Sequence, residues 1–250
     1  MHGAAWLAAR AAHAAGAGRV FVDSVDAAAD AASTVDPLRP ELMFAAGWCQ
    51  RDASVLKRST VVCGCGGGEA VRRALPRLLS LVPRLVLDAD GLNAVAADVS
   101  LLALLRQRRE RQQATVLTPH PLEAARLLSC SAAEVQADRL HAARRLVDMT
   151  DCVVVLKGSG SVIAAPGEVP RINATGNGSL ASAGTGDVLA GWLGGLWAQA
   201  GTTGDGFADA FRVAARAVAE HGAAAEPECP GALRAGDLIE ILYRRVRGLA

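Results

Sequence analysis

The 250-residue sequence predicts an α/β fold, a three-layer α/β/α sandwich around a mostly parallel central sheet. Three observations predict it. Short β-branched runs alternate with longer alanine- and leucine-rich stretches of helical spacing. The runs are almost wholly apolar, as strands covered by helices on both faces must be. The polar residues that stand out follow the carboxyl ends of those runs, where open parallel sheets bind ligands.

The first helical stretch, about residues 4–15, begins at once, although every later helix follows or precedes a strand. A first strand is therefore expected to be missing. Residues 19–22 form the next buried strand. The run 60–63 leads through the glycine turn 64–68 into a helix over 68–79. The run 84–88 leads through a loop ending at Asn93 to a helix over 98–109. Residues 115–118 precede a turn that opens a helix at 121–128, with another over 131–148. The run 152–156 ends in the segment 157–161. Residues 161–164 and 169–173 flank Pro166-Gly167-Glu168 and read as an antiparallel hairpin added to the sheet. Helices over 187–200, 206–222 and 235–247 complete one domain spanning residues 1–250, with no repeat or linker.

Composition narrows the function. With 51% hydrophobic residues and a formal net charge of +1, the chain buries one large core and has no field to draw nucleic acid or an acidic membrane. The basic run 106–111 reads as a solvated helix end. Six cysteines (Cys49, Cys63, Cys65, Cys130, Cys152, Cys229) lack any Cys-x-x-Cys pair and read as reduced core residues of a cytoplasmic protein. The alanine-rich start resembles neither a signal peptide nor a membrane span.

The most informative segment is residues 173–191, where a glycine-rich turn meets one carboxylate and then an apolar helix. Gly184 and Gly186 allow the tight turn that points helix-opening amides at an anion. Asp187 falls in the first helical turn, where it is placed to take a proton from a substrate hydroxyl. The motif Gly-Thr-Gly-Asp alone is short, and an ordinary helix N-terminus is its plain alternative.

Context decides between them. Asp88-Ala89-Asp90-Gly91-Leu92-Asn93, Thr118-Pro119-His120-Pro121-Leu122-Glu123, Leu156-Lys157-Gly158 and Gly184-Thr185-Gly186-Asp187 together resemble the NAD(P)H-hydrate dehydratase family of the ribokinase-like superfamily, in this order and over nearly the whole chain. The resemblance implies a ribokinase-like sandwich and an ADP-dependent hydro-lyase, with ATP as a possible co-substrate and Mg²⁺ as cofactor. Its substrate is the S-epimer of hydrated NADH or NADPH, its products NAD(P)H, AMP and phosphate. In the family a strand and a Gly-Gly turn precede the segment matched by Gly3-Ala4-Ala5, so the resemblance implies an N-terminally truncated chain in which Met1 is an internal residue. It further implies a homotetramer working alongside an NAD(P)H-hydrate epimerase.

By motif, Asp187 deprotonates the C6 hydroxyl while the amides of Gly184, Thr185 and Gly186 neutralise the transferring phosphoryl group. Lys157, Gly158, Ser159, Gly160 and Ser161, with Gly186, match the segment that holds the AMP part, Lys157 adding charge. Ala4, Gly66, His120 and Asp187 match positions against the hydrated dinucleotide. The loop 64–68 carries Cys65 where the family usually has proline, and serves as a strand-to-helix turn or as a ligand contact at Gly66. Asp88 and Asp90 suit a Mg²⁺ hydration shell, ordering of the following loop, or a helix cap. Asn173 and Asn177 border the glycine turn and hold its shape.

Two other readings share Gly184 to Asp187. One is a small-molecule kinase of the same superfamily, of hydroxymethylpyrimidine or hydroxyethylthiazole type, against which the 118–123 motif argues. The other is a nucleotide-binding module impaired in catalysis, which the absent first strand would allow.

Overall fold

The computed structural model describes residues 2–25, 35–201, 206–226 and 231–249. Helix α1 (His2–Ala14) is followed by the short strands β1 (Phe21–Val22) and β2 (Met43–Phe44), a 3₁₀ turn and the one-turn helix α2 (Ala53–Leu56). Strand β3 (Thr60–Cys63), helix α3 (Val71–Leu81), strand β4 (Arg84–Leu87) and helices α4 (Ala89–Ala96) and α5 (Val99–Glu110) come next. Strand β5 (Ala114–Leu117) precedes helices α6 (Pro121–Leu128), α7 (Ala132–Ala137) and α8 (Arg139–Thr150). Strands β6 (Val153–Leu156), β7 (Val162–Ala164) and β8 (Arg171–Ile172) lead to α9 (Thr185–Gln199), α10 (Gly206–Ala223) and α11 (Ala235–Val246).

The main sheet has the order β3-β4-β5-β6-β7-β8, with the first four strands parallel and the hairpin β7–β8 antiparallel. Alternation along the strands divides the core. Val86, Val116, Val153 and Val155 pack with α1, α9, α10 and α11 on one face. Leu85, Leu87, Leu117, Val154 and Leu156 pack with α3 to α8 on the other. The three expected layers are present.

Helix α9 lies between the sheet and α1, and its glycines permit both contacts. A Cβ on Gly191 would lie 2.0 Å from Ala8 O and one on Gly195 2.4 Å from Ala12 O, while a Cβ on Gly194 would meet Val62 at 2.4 Å. The alanines of α1 supply the matching small surface. Glycine costs a helix conformational entropy, which this close backbone packing offsets.

Three expectations are corrected. Residues 19–22 do not join the main sheet: Phe21–Val22 pairs in parallel with Met43–Phe44 as a separate two-stranded sheet, with Val22 buried and Phe21 exposed and stacked on Trp48. An apolar run signals a strand but not its partner. The helix expected over 131–148 is two, because Ser131 caps α7 and Asp138 caps α8 through their side chains. The loop expected to end at Asn93 is the helix α4, opened by Asp88. The cysteines described are free thiols, four of them buried; Cys229 lies outside the described residues. Among the described residues no helix is long and apolar enough to cross a membrane.

Candidate active site

The carboxyl ends of β3 to β6 and the first turn of α9 converge on one cluster. Gly64, at φ 116°, brings the turn after β3 against β4: a Cβ there would lie 1.8 Å from Asp88 O. Asp90 N–H donates to Gly64 O at 3.2 Å and Gly68 N–H to Asp90 Oδ2 at 2.8 Å, so the two loops are tied together. Ala89, just behind Asp88, has φ 45°. A non-glycine residue there stores backbone strain, of a kind that collects at functional sites.

Asp88 is the hub. Its Oδ1 accepts from Lys157 Nζ at 2.7 Å and from Thr118 Oγ1 at 2.9 Å, and its Oδ2 lies 3.9 Å from Cys65 Sγ. Lys157 follows β6, two strands from β4, and its side chain reaches across the end of β5 to make this pair. Its backbone N–H meanwhile donates to Pro119 O at 2.8 Å. The ammonium is therefore mostly withdrawn from solvent and paired with a carboxylate. It lies in the carboxylate cluster, 3.3 Å from where a Cβ on Gly186 would stand. Burial disfavours the ammonium, yet Asp88 and Glu123 outweigh it and raise the Lys157 pKa.

Asp187 completes the cluster. Oxygen atoms of Asp88 and Asp187 and Sγ of Cys65 lie within 4.8 Å of one another. Burial and the like charge of Asp88 raise the Asp187 pKa, with Asp90 adding to the effect and Lys157 opposing it. Burial and the carboxylates Asp88 and Asp187 push the Cys65 thiol well above its usual range, so it is a protonated neighbour and not a nucleophile.

The glycine turn is held from behind. Gly184 has φ 88°, and a Cβ there would strike Leu7 of α1 at 2.5 Å. Thr185 is buried; its hydroxyl has Leu180 O and Ser182 O each at 2.8 Å, and its N–H points at Ser182 O at 3.4 Å. The Thr185 side chain thus anchors the loop. Gly186 and Asp187, in the first turn of α9, carry N–H groups with no acceptor inside the helix. His221 on α10, buried and held neutral with its pKa lowered to about 4 by burial, has Nε2 2.9 Å from Thr185 O. Nothing in the local sequence around His221 signals that contact, which α10 makes across 36 residues.

His120 caps α6. Its Nδ1 accepts from Leu122 N at 3.1 Å and Glu123 N at 3.3 Å, and Glu123 Oε2 accepts from His120 N at 2.8 Å. Burial and the nearby Lys157 lower the His120 pKa, and burial raises that of Glu123. Nε2 lies 3.2 Å from Glu123 Oε1. Ala4 is buried in the core formed by α1 and α9. Gly66 adopts φ 72° in the loop beside Asp88. Gly158, Ser159, Gly160 and Ser161 form a turn past β6; Leu156 O at the strand end and Ser159 O in the turn accept from Arg139, a residue the sequence did not mark. Asn173 and Asn177 bond to backbone at Thr175 and Ala225 and shape the segment before α9, as expected.

Two carboxylates, Asp88 and Asp187, stand near one ammonium, Lys157, and Asp90 adds a third negative charge close to Asp187. That negative excess suits a hydrated Mg²⁺, which takes one or two carboxylates and leaves its other positions to water and phosphate oxygens. The thiol of Cys65 is not a ligand for such a hard ion.

Residues 1–242 match the profile of a protein family described as NAD(P)H-hydrate dehydratase. The chain is 42% identical over 164 residues to the bifunctional NAD(P)H-hydrate repair enzyme Nnr of Escherichia coli, covering 64% of this chain and 30% of that one. It is 37% identical over 189 residues to the ADP-dependent (S)-NAD(P)H-hydrate dehydratase of Neisseria meningitidis, covering 75% and 60%. The chain thus spans between about a third and three-fifths of the length of these curated relatives. Among solved structures, the ADP/ATP-dependent NAD(P)H-hydrate dehydratase of Bacillus subtilis, co-crystallised with ATP and Mg²⁺, superposes with a TM-score of 0.76 at 27% identity, over 100% of this chain and 86% of that one. A hydroxyethylthiazole kinase from Pyrococcus horikoshii superposes at 0.55 with 19% identity over 98% and 94%, a likeness of fold alone.

Proposed function

This chain belongs to the NAD(P)H-hydrate dehydratase family, and on that premise we propose that it uses ADP to dehydrate the S-epimer of hydrated NADH or NADPH, with ATP as the alternative co-substrate. The observation that carries the reading is the position of Asp187, in the first turn of α9 beside the open amides and within 4.8 Å of the Asp88 carboxylate. The hydroxyl at C6 of the hydrated ring is a poor leaving group, and its phosphate ester is a good one.

In this reading the Asp187 carboxylate takes the hydroxyl proton as that oxygen attacks the terminal phosphoryl of ADP, and AMP leaves. The ring nitrogen lone pair then expels phosphate, and loss of the C5 proton restores the dihydronicotinamide. The raised pKa of Asp187 makes it a better base than an exposed aspartate. Gly186 and Asp187 amides face the phosphoryl oxygens, with the Lys157–Asp88 pair beside them. The turn 157–161 receives the AMP part, while Gly66, His120 and Ala4 border the dinucleotide. Mg²⁺, held through water by Asp88 and Asp90, would supply charge neutralisation for the nucleotide phosphates. A homotetramer and a working partnership with an epimerase belong to the same reading; sedimentation and a coupled assay with racemic hydrate check them.

Incubation with hydrated NADH, Mg²⁺ and ADP or ATP tests the reaction. Return of dihydronicotinamide absorbance, with AMP and phosphate formed from ADP, is expected. A stable phosphorylated product would mean a kinase, and no reaction would overturn the proposal.

A further inference from the structure

The commitment of Lys157 to Asp88 leaves the 158–161 turn without a cation from its own segment. One arrives from the first residue of α8. Arg139 donates from Nη2 to Leu156 O at 2.9 Å and from Nη1 to Ser159 O, so one planar guanidinium bridges the end of β6 and the turn beyond it. Gly158, at φ 147°, makes room: a Cβ there would lie 2.9 Å from Nη2.

The consequences are geometric and electrostatic. In a trans peptide the N–H points opposite to its C=O, so drawing Ser159 O onto Arg139 aims the Gly160 N–H away from it, out of the turn. Among the described residues no backbone acceptor takes the N–H of Ser159 or Gly160. Among the described residues the charge of Arg139 has no carboxylate against it either: its two bonds go to carbonyls, Nε is buried without a partner, and the adjacent Asp138 spends its carboxylate capping α8. Two open amides backed by an uncompensated guanidinium suit a phosphate.

We propose that Arg139 is the positioning residue of this turn, its fork setting the direction of the amides and its charge drawing the phosphate of the nucleotide to them. The inference rests on the nucleotide reading above. Calorimetric titration of the full chain with Mg²⁺ and ADP tests it alongside steady-state kinetics. Arg139→Gln is expected to raise the Kd for ADP roughly tenfold to a hundredfold, the range for lost charge-assisted hydrogen bonds, and to flatten its salt dependence while kcat at saturating ADP holds. Arg139→Lys, which keeps the charge and loses the fork, should fall between and retain the wild-type salt dependence. Gly158→Ala, which displaces the guanidinium, should weaken ADP binding as Arg139→Gln does.

A purely structural arginine would lower the melting temperature without changing the salt dependence. Wild-type Kd in Arg139→Gln, or a loss of kcat at unchanged Kd, overturns the inference. Should Arg139→Gln fail to fold, wild-type affinity in Arg139→Lys overturns it. Failure of the wild type to bind ADP or ATP would sink the functional reading and this inference together, whereas wild-type binding matched by Arg139→Gln sinks this inference alone.

Discussion

Lys157 and Arg108 are both basic side chains withdrawn from water against the central sheet, at its opposite ends. Arg108 lies at the amino end of β5, 1% exposed, and donates to Thr115 Oγ1, Leu79 O and Ala114 O. Burial lowers its pKa to about 10, and its partners are neutral. It ties α3, α5 and β5 together and leaves nothing open to a ligand. Lys157 lies at the carboxyl end of β6 and is neutralised by Asp88, within a group whose like charges are incompletely cancelled. Neutral carbonyls satisfy a buried cation geometrically, whereas a charged partner also makes the site responsive to further charge. The two ends differ in chemistry because one set of partners is saturated and the other is not.

The comparison breaks most visibly through Asp187. Asp187→Asn should cut kcat by roughly 10² to 10⁴, the usual worth of a general base, while leaving nucleotide affinity intact. Retained turnover would remove the residue from the chemistry. Because the folded pKa of Asp187 is raised above its unfolded value, its ionisation opposes folding above that unfolded value of 3.8. Asp187→Asn should therefore raise the melting temperature at pH 7, and the gain should vanish as the pH falls below the unfolded pKa. Activity in the wild type should likewise fall on the acid side at a pH above that of an ordinary aspartate. Melting curves and pH–rate profiles check both signs.

Next in size are the two cations themselves. Lys157→Met leaves Asp88 buried and unpaired and should cost about 3–5 kcal/mol in urea unfolding. The double change Lys157→Met with Asp88→Asn should recover part of it. Arg108→Met strands carbonyls but also relieves the burial of an uncompensated charge, so it should cost roughly 1–3 kcal/mol and leave turnover unchanged. Equal costs at the two positions would erase the distinction between the ends. The smallest effect belongs to His120: His120→Ala removes the α6 cap and should cost about 1 kcal/mol, with His120→Asn restoring it. Because the folded His120 pKa is depressed, this contribution is present above its unfolded pKa and fades as the pH falls toward the folded one. Stability of the two variants across pH 4–8 measures it.

The sheet runs from residue 60 onward, the hairpin after β6, and the position of Asp187 in a helix-opening turn were all legible in the sequence. Each is written in neighbouring residues: unbroken apolar runs, Pro166-Gly167-Glu168, and Gly184-Thr185-Gly186-Asp187. Family motifs brought His120 and residues 157–161 to the same end of the sheet for the same reason.

Where a long side chain ends was not legible. Lys157 reaches Asp88 across 69 positions, Arg139 reaches Ser159 across 20, and His221 reaches Thr185 across 36. The partner of residues 21–22 likewise depended on where α1 packed. Local periodicity determines which segments are strands and helices, because dihedral preference and solvent partition act residue by residue. Only the assembled fold decided which charges meet, because Coulomb and hydrogen-bond energies depend on distances that the order of residues does not contain.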